Sequence, residues 1–284
     1  MFRLFVEQLT TVDFTYFDSD RGLLGQTYIV DVTLIGDLNP EYMMIDFGLI
    51  KKRLKSEIEL LLDHKFWLFK PAVKIEKNDP QNFHIQMNSK IGLYYLTCPK
   101  SAVFFDLSER TLSLDLAKNH LEQQMLLFLQ SKFPNIKALE IDLYLEEQKS
   151  NEAFFQYCHG LKTHNGDCQR IAHGHRSKIQ IWLDSNYSEV LSREWANFLD
   201  GRFIANAEDE IVTQKTNSRV FQYEAPQGVF YLEVPSDRVW IIEGETTIEN
   251  ITYNIARYLL NNHKNKKIKI RTYEGTRKGA EVIL

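Results

Sequence analysis

Four side chains able to hold a metal or move a proton crowd one short stretch of this chain: His159, Cys168, His173 and His175. His173 and His175 are two apart and lead into Ser177, Ile179, Ile181 and Leu183, a run that alternates as a strand does. Residues two apart on a strand share a face, so both imidazoles are expected to point with those apolar side chains. His159 ends another extended stretch, which carries Phe154, Phe155 and Tyr157. Three neutral imidazoles converging from two strands would make a zinc site with one position open, the catalytic rather than the structural arrangement. His-Gly-His spacing also occurs among solvated histidines, and it is His159 and Cys168 that set the metal reading beside that one. His164, next to Asn165-Gly166, reads as a turn residue. Cys158 precedes a proposed ligand on a strand, faces the other way and reads as packing.

The rest of the chain must position that stretch. At 284 residues it is long enough for two domains with cores of their own. Hydrophobic content of 44% and charged content of 25% are those of an ordinary soluble globular protein. A net charge of -4 offers no footprint for nucleic acid, and no basic run suggests a membrane surface. The first residues alternate like a strand and lack the features of a signal peptide, and no apolar stretch is long enough to span a bilayer. Three widely spaced cysteines argue for a reducing compartment, so a cytoplasmic location is expected.

Residues 2–17 and 26–36 read as long strands. Ile50, Leu54, Ile58 and Leu61 recur at helical spacing in a helix that starts at Phe47 and ends in Leu62-Asp63-His64. Strands are expected near 83–88 and 91–97. A second helix carries Ala117, Leu121, Met125 and Leu129 and is stopped by Pro134, and a strand from Leu139 to Glu146 closes this half. The order is that of an α+β fold.

The pattern then repeats. Gly92-Leu93-Tyr94-Tyr95-Leu96 with Pro99 matches Gly228-Val229-Phe230-Tyr231-Leu232 with Pro235, and the match runs without a gap through Val103 and Val239 to Thr111 and Thr247. Leu62-Asp63-His64-Lys65-Phe66 matches Leu199-Asp200-Gly201-Arg202-Phe203, and Leu24-Gly25-Gln26 falls opposite His173-Gly174-His175. Phe14 to Asp18 aligns with Phe155 to His159, helix 248–260 answers 115–131, and strand 267–274 answers 139–146. Two copies of one fold are expected, 1–148 and 149–284. They have diverged in opposite ways. The second keeps three histidines and Cys168 but has Gly201 where the first has His64, and the first keeps Asp63-His64 but has lost the three histidines.

Together these residues resemble the family of 6-pyruvoyltetrahydropterin synthases and bacterial 6-carboxytetrahydropterin synthases. Phe155, His159 and Leu161 supply its Phe-x-x-x-His-x-Leu, and Cys168, His173 and His175 its cysteine and His-Gly-His. Ile45-Asp46-Phe47 and Leu62-Asp63-His64 bracket its first helix, in the first copy only. Thr247, Glu249 and Asn250 start its second helix, and Tyr273-Glu274 is its terminal pterin anchor. Arg176-Ser177 depart from the pattern, which has Asn or Ser and then an aromatic after the His-Gly-His. The resemblance implies a tunnelling fold in each copy: a four-stranded antiparallel sheet with two helices, joining other units into a β-barrel, with active sites between units in a homo-oligomer.

It also implies a zinc-dependent lyase acting on 7,8-dihydroneopterin triphosphate to give the 6-carboxy or 6-pyruvoyl product. Its zinc would be held by His159, His173 and His175. Cys168 would be the general base, His64 with Asp63 a second acid/base group, and Thr247 and Glu274 would bind the pterin. By themselves Asp63-His64 read as a helix C-terminus, Thr247 as a helix cap and Glu274 as a solvated strand end. The rival expectation is a zinc-containing pterin- or purine-binding protein without this activity. A related reaction on another heterocycle is a third.

Overall fold

In a computed structural model of the chain, residues 1–69, 73–75, 79–106 and 114–284 are described. They form an α+β fold with four helices. The first half runs β1 (Phe2–Asp18), β2 (Gly22–Gly36), α1 (Phe47–Leu62), β3 (Phe66–Phe69), β4 (Val73–Ile75), β5 (Asn82–Ser89), β6 (Gly92–Pro99), β7 (Val103–Asp106), α2 (Leu114–Lys132) and β8 (Ile136–Tyr144). The second runs β9 (Ala153–His159), β10 (His173–Leu183), β11 (Asn186–Tyr187), α3 (Glu189–Leu199), β12 (Arg202–Asn206), β13 (Glu210–Ile211), β14 (Ser218–Ala225), β15 (Gly228–Pro235), β16 (Val239–Ile242), α4 (Ile248–Asn262), β17 (Ile268–Tyr273) and β18 (Gly279–Ile283). Thr111, where the expected repeat ends, lies outside the described residues.

The helices form where apolar residues recur every three to four positions behind a capping side chain. Asp46 accepts from the N–H of Leu49 to start α1, and Ile50, Leu54, Ile58 and Leu62 make its buried stripe. Thr247 does the same for α4 through the N–H of Asn250, ahead of Ile248, Ile251, Ile255 and Leu259. The sequence reading passed over α3. Ser188 caps it, and its inner face mixes Trp195, Ala196 and Leu199 with a buried Ser192, whose hydroxyl accepts from the N–H of Ile181. That polar residue interrupts the apolar period. Among the described residues no helix is long and apolar enough to cross a membrane.

The chain divides into two compact units that do not follow the sequence halves. One comprises Met1–Val12, Tyr28–Asp63 and 114–146; in it α1 and α2 accompany the antiparallel pairing of β2 with β8, Ile29 opposite Tyr144. The other comprises Asp13–Thr27, 64–106 and Glu147–Leu284 and contains every candidate site residue except Asp63. Two sheets dominate it. One has the order β16-β12-β9-β10-β17-β18, and the other β13-β14-β15-β6-β5-β4. Their strands are not all antiparallel: β12 runs parallel to both β9 and β16. One side of β9 and β10 packs Phe155, Tyr157, Ile179 and Ile181 against α3 and α4. The other puts Cys158 into a cluster with Phe17, Tyr94, Phe203, Phe221 and Phe230.

Within this unit the two copies repeat strand for strand. β5 pairs β6 from Asn82–Pro99 to Ser89–Gly92, and β14 pairs β15 from Ser218–Pro235 to Ala225–Gly228. β6 and β15 then pair antiparallel with Leu96 opposite its own counterpart Leu232. The ends reciprocate. A Cβ on Gly92 would meet Pro235 at 2.6 Å, and one on Gly228 would meet Pro99 at 2.3 Å. Equivalent residues facing each other is the signature of a local two-fold axis. One register differs from the sequence alignment. Thr15 stands beside Phe66 as Cys158 stands beside Phe203, so Tyr16, not Asp18, occupies the place of His159. The alignment had matched aromatic and polar side chains, which do not report strand register.

Candidate active site

Strand register assembles the histidines. His173 on β10 lies directly opposite His159 on β9, and His175 follows two residues later on the same face. All three are buried, with ring centroids 4.2 Å apart for His159 and His173 and 5.2 Å for His159 and His175. Each ring spends its Nδ1 on a group that can only accept. His159 Nδ1 lies 2.9 Å from the carbonyl of Thr246, and His173 Nδ1 3.1 Å from that of Arg170. His175 Nδ1 faces Oδ1 of Asp13 at 3.2 Å. The Nδ1 atoms must therefore carry the protons, which leaves a lone pair on every Nε2.

Those lone pairs converge. His175 Nε2 and His159 Nε2 are 3.2 Å apart, and His173 Nε2 is buried with no hydrogen-bond partner. Two acceptors facing each other without a proton between them repel, and a cation between them removes the repulsion. Burial, and then the neighbouring histidines, hold His159 and His173 well below the ordinary histidine range, so both are neutral ligands. Three neutral imidazole nitrogens, each fixed by an outer acceptor, are a donor set that fits zinc with a position open.

Beside them stands a thiol with a base. Cys168, half-buried in the turn Asp167–Gln169, has its Sγ 3.4 Å from Nε2 of His64. The ligand atoms of His64, Cys168 and His173 all lie within 4.8 Å of one another. Arg170 ties this corner together: its guanidinium donates to the His64 carbonyl at 3.2 Å and pairs with Asp167 at 3.0 Å. The other cysteine of this stretch is different. Cys158 is fully buried, its Sγ accepts from Thr15 Oγ1 at 3.3 Å, and burial pushes its thiol up to about 12.

The remaining sequence candidates separate. Glu274 comes to the histidines, its Oε1 4.0 Å from His175 Nε2, and its backbone N–H donates to the Lys278 carbonyl across a tight turn. Thr247 serves as the α4 cap, whereas its neighbour Thr246, fully buried, is the residue that reaches His159. Asp63 ends α1, its N–H on the Glu59 carbonyl. His164 is exposed. Arg176 leaves the site altogether: its guanidinium lies 4.1 Å over the ring of Phe154. The departure from the family pattern at this residue therefore falls on the far face of β10. Ser177 accepts from the N–H of Gly275, steadying the turn that carries Glu274.

Sequence reasoning missed Asp13, Thr246 and Arg170. Thr246 and Arg170 act through carbonyls, which no residue type reveals. Asp13 did leave a signal, a carboxylate in a strand between Val12 and Phe14 that is 2% exposed.

A family model described as 6-pyruvoyl tetrahydropterin synthase matches residues 149–283. Residues 149–283 are a domain of this family. The first half repeats its strands and fits a second, diverged copy. No curated protein matches the chain significantly. Among solved structures, the 6-pyruvoyl tetrahydropterin synthase of Plasmodium vivax is 22% identical over 52% of this chain and 93% of its own, with a TM-score of 0.38. That of Plasmodium falciparum is 22% identical over 50% and 89%, with a TM-score of 0.36.

Proposed function

We propose that this protein is a zinc-dependent pterin synthase, a carbon–oxygen lyase acting on 7,8-dihydroneopterin triphosphate, with one active site built from both copies of the chain. The observation that carries the reading is the 3.4 Å separation between Cys168 of the second copy and His64 of the first, beside three imidazoles with free Nε2 atoms. Either copy alone lacks half of that set.

His159, His173 and His175 would hold the metal, which would supply Lewis acidity toward the hydroxylated side chain of the substrate. The protein's own groups account for the proton traffic. Cys168 passes its proton to His64, and the thiolate removes a carbon-bound proton next to a substrate hydroxyl. His64, then protonated, returns a proton to a side-chain oxygen. Glu274 accepts from the amino and ring N–H groups of the pterin. Asp63 and Thr247 are proposed at one remove, Asp63 through the helix end that precedes His64 and Thr247 through the cap that follows Thr246. The product is the 6-carboxy or 6-pyruvoyl compound. The division into copies 1–148 and 149–284, the β-barrel of a homo-oligomer and a cytoplasmic location are proposed with it, on the family likeness alone.

The test is metal analysis of the purified protein together with incubation with 7,8-dihydroneopterin triphosphate and mass spectrometry of the products. Zinc near one per chain with loss of substrate is expected, and the product mass chooses between the two compounds. Zinc with intact substrate would favour a pterin- or purine-binding protein; absence of zinc would remove the site.

A further inference from the structure

Asp13 belongs to the first copy, lies far in sequence from every histidine of the second, and yet touches the site twice. Its side chain is 3% exposed and faces His175 Nδ1 at 3.2 Å. The hydroxyl of Thr27 donates to the same Oδ1 at 2.5 Å, and Nζ of Lys278 stands 3.5 Å from Oδ2. Its backbone carbonyl accepts the N–H of His64 at 2.6 Å. Room for the carboxylate is reserved from the opposite side. A Cβ on Gly275, the residue after Glu274, would lie 2.8 Å from Oδ1 of Asp13.

The chain contains its own comparison. The register that equates Thr15 with Cys158 equates Asp13 with Gln156. Around Gln156 the three ligand places hold Tyr16, Leu24 and Gln26, none of them an imidazole. There the side-chain amide donates to the Gly25 carbonyl and accepts from Arg21. The carboxylate occurs where imidazole ligands occur, and an amide where they do not. That is the distribution expected of a group whose task is to polarise a ligand, because a carboxylate behind Nδ1 makes Nε2 a stronger donor.

We infer that Asp13 is a positioning residue for the metal centre, fixing the tautomer and orientation of His175 through its carboxylate and the placement of His64 through its carbonyl. The inference rests on the metal reading above, and one experiment separates them. Zinc affinity is measured by competition with a chromogenic chelator for the full chain, Asp13→Asn, Asp13→Ala and Gln156→Ala. The melting temperature of each metal-free form is recorded alongside. Asp13→Asn keeps the volume and an acceptor for Nδ1 but removes the charge, and is expected to weaken zinc binding 10- to 100-fold. Its metal-free melting temperature should stay near that of the parent. Gln156→Ala should leave zinc affinity unchanged. If the parent takes up no zinc, the metal reading fails. If the parent binds one zinc and Asp13→Asn binds it within twofold as tightly, the role assigned to Asp13 is overturned. Should Asp13→Ala fail to fold, the asparagine variant alone decides.

Discussion

His64 sits at φ +54, in the left-handed region that a residue with a Cβ enters only at a cost. Its counterpart Gly201 has φ +69. The two copies share one backbone turn, and only the copy that contributes a side chain to the site bears the strain. Strained residues that persist are held by their surroundings, here by the Asp13 carbonyl on the His64 N–H and by Arg170 on its carbonyl. His64→Gly is therefore expected to be more stable than His64→Ala by about 1 kcal/mol in urea unfolding, with turnover lost in both. Equal stability would mean that the turn stores no strain. Cys168→Ala makes a second, independent case: turnover should vanish while zinc stays bound, since Sγ is no member of the three-imidazole set. Full activity in that variant would take the thiol out of the mechanism. These residues were legible because imidazole and thiol announce themselves by type. Asp13 was not, because a carboxylate's partner across 162 residues of sequence is visible only once strand register is known.

At the scale of elements, close backbone approach decides what the strands can do. Gly25 on β2 and Gly174 on β10 occupy matching places in the two copies and lie against each other. A Cβ on Gly25 would fall 2.1 Å from the Tyr157 carbonyl oxygen and 2.2 Å from the N–H nitrogen of His175. Both obstacles are backbone atoms and cannot rotate away. Gly25→Ala should cost about 3 kcal/mol and, because the displaced atom belongs to His175, should weaken zinc binding as well. Denaturant titration and chelator competition read the two effects, and an intact metal site in a destabilised variant would separate packing from the ligands. Helices α1, α2 and α4 could be read from their 3.6-residue period, but α3 could not, because Ser192 sits buried in its apolar face. The parallel pairings of β12 and the meeting of Leu96 with Leu232 join segments distant in sequence. Such pairings leave no local pattern, which is why the repeat was visible and its packing was not.

Across the whole chain, duplication followed by opposite losses leaves one set of imidazoles, one thiol and one His64, and this concentrates the molecule's pH response in a few groups. His159 and His173 are neutral when folded because burial opposes their charging. An unfolded chain meets no such opposition and takes up protons below about pH 6.5. The folded pKa values are depressed, so this contribution to stability is complete above about pH 6.5. It is lost as pH falls from there toward the folded values, at up to about 1.4 kcal/mol per pH unit for each histidine. Metal-free protein should accordingly show a melting temperature that is flat above neutrality and declines steadily through pH 6 and 5. His173→Gln removes one of the two groups and should flatten that decline by about half, whatever it does to stability at pH 8. Zinc should raise the curve most at the neutral end, since protons and metal compete for the same Nε2 atoms. A metal-free profile with no decline between pH 6.5 and 5 would mean that the histidines are already charged in the folded state. The three lone pairs that define the site would then not exist.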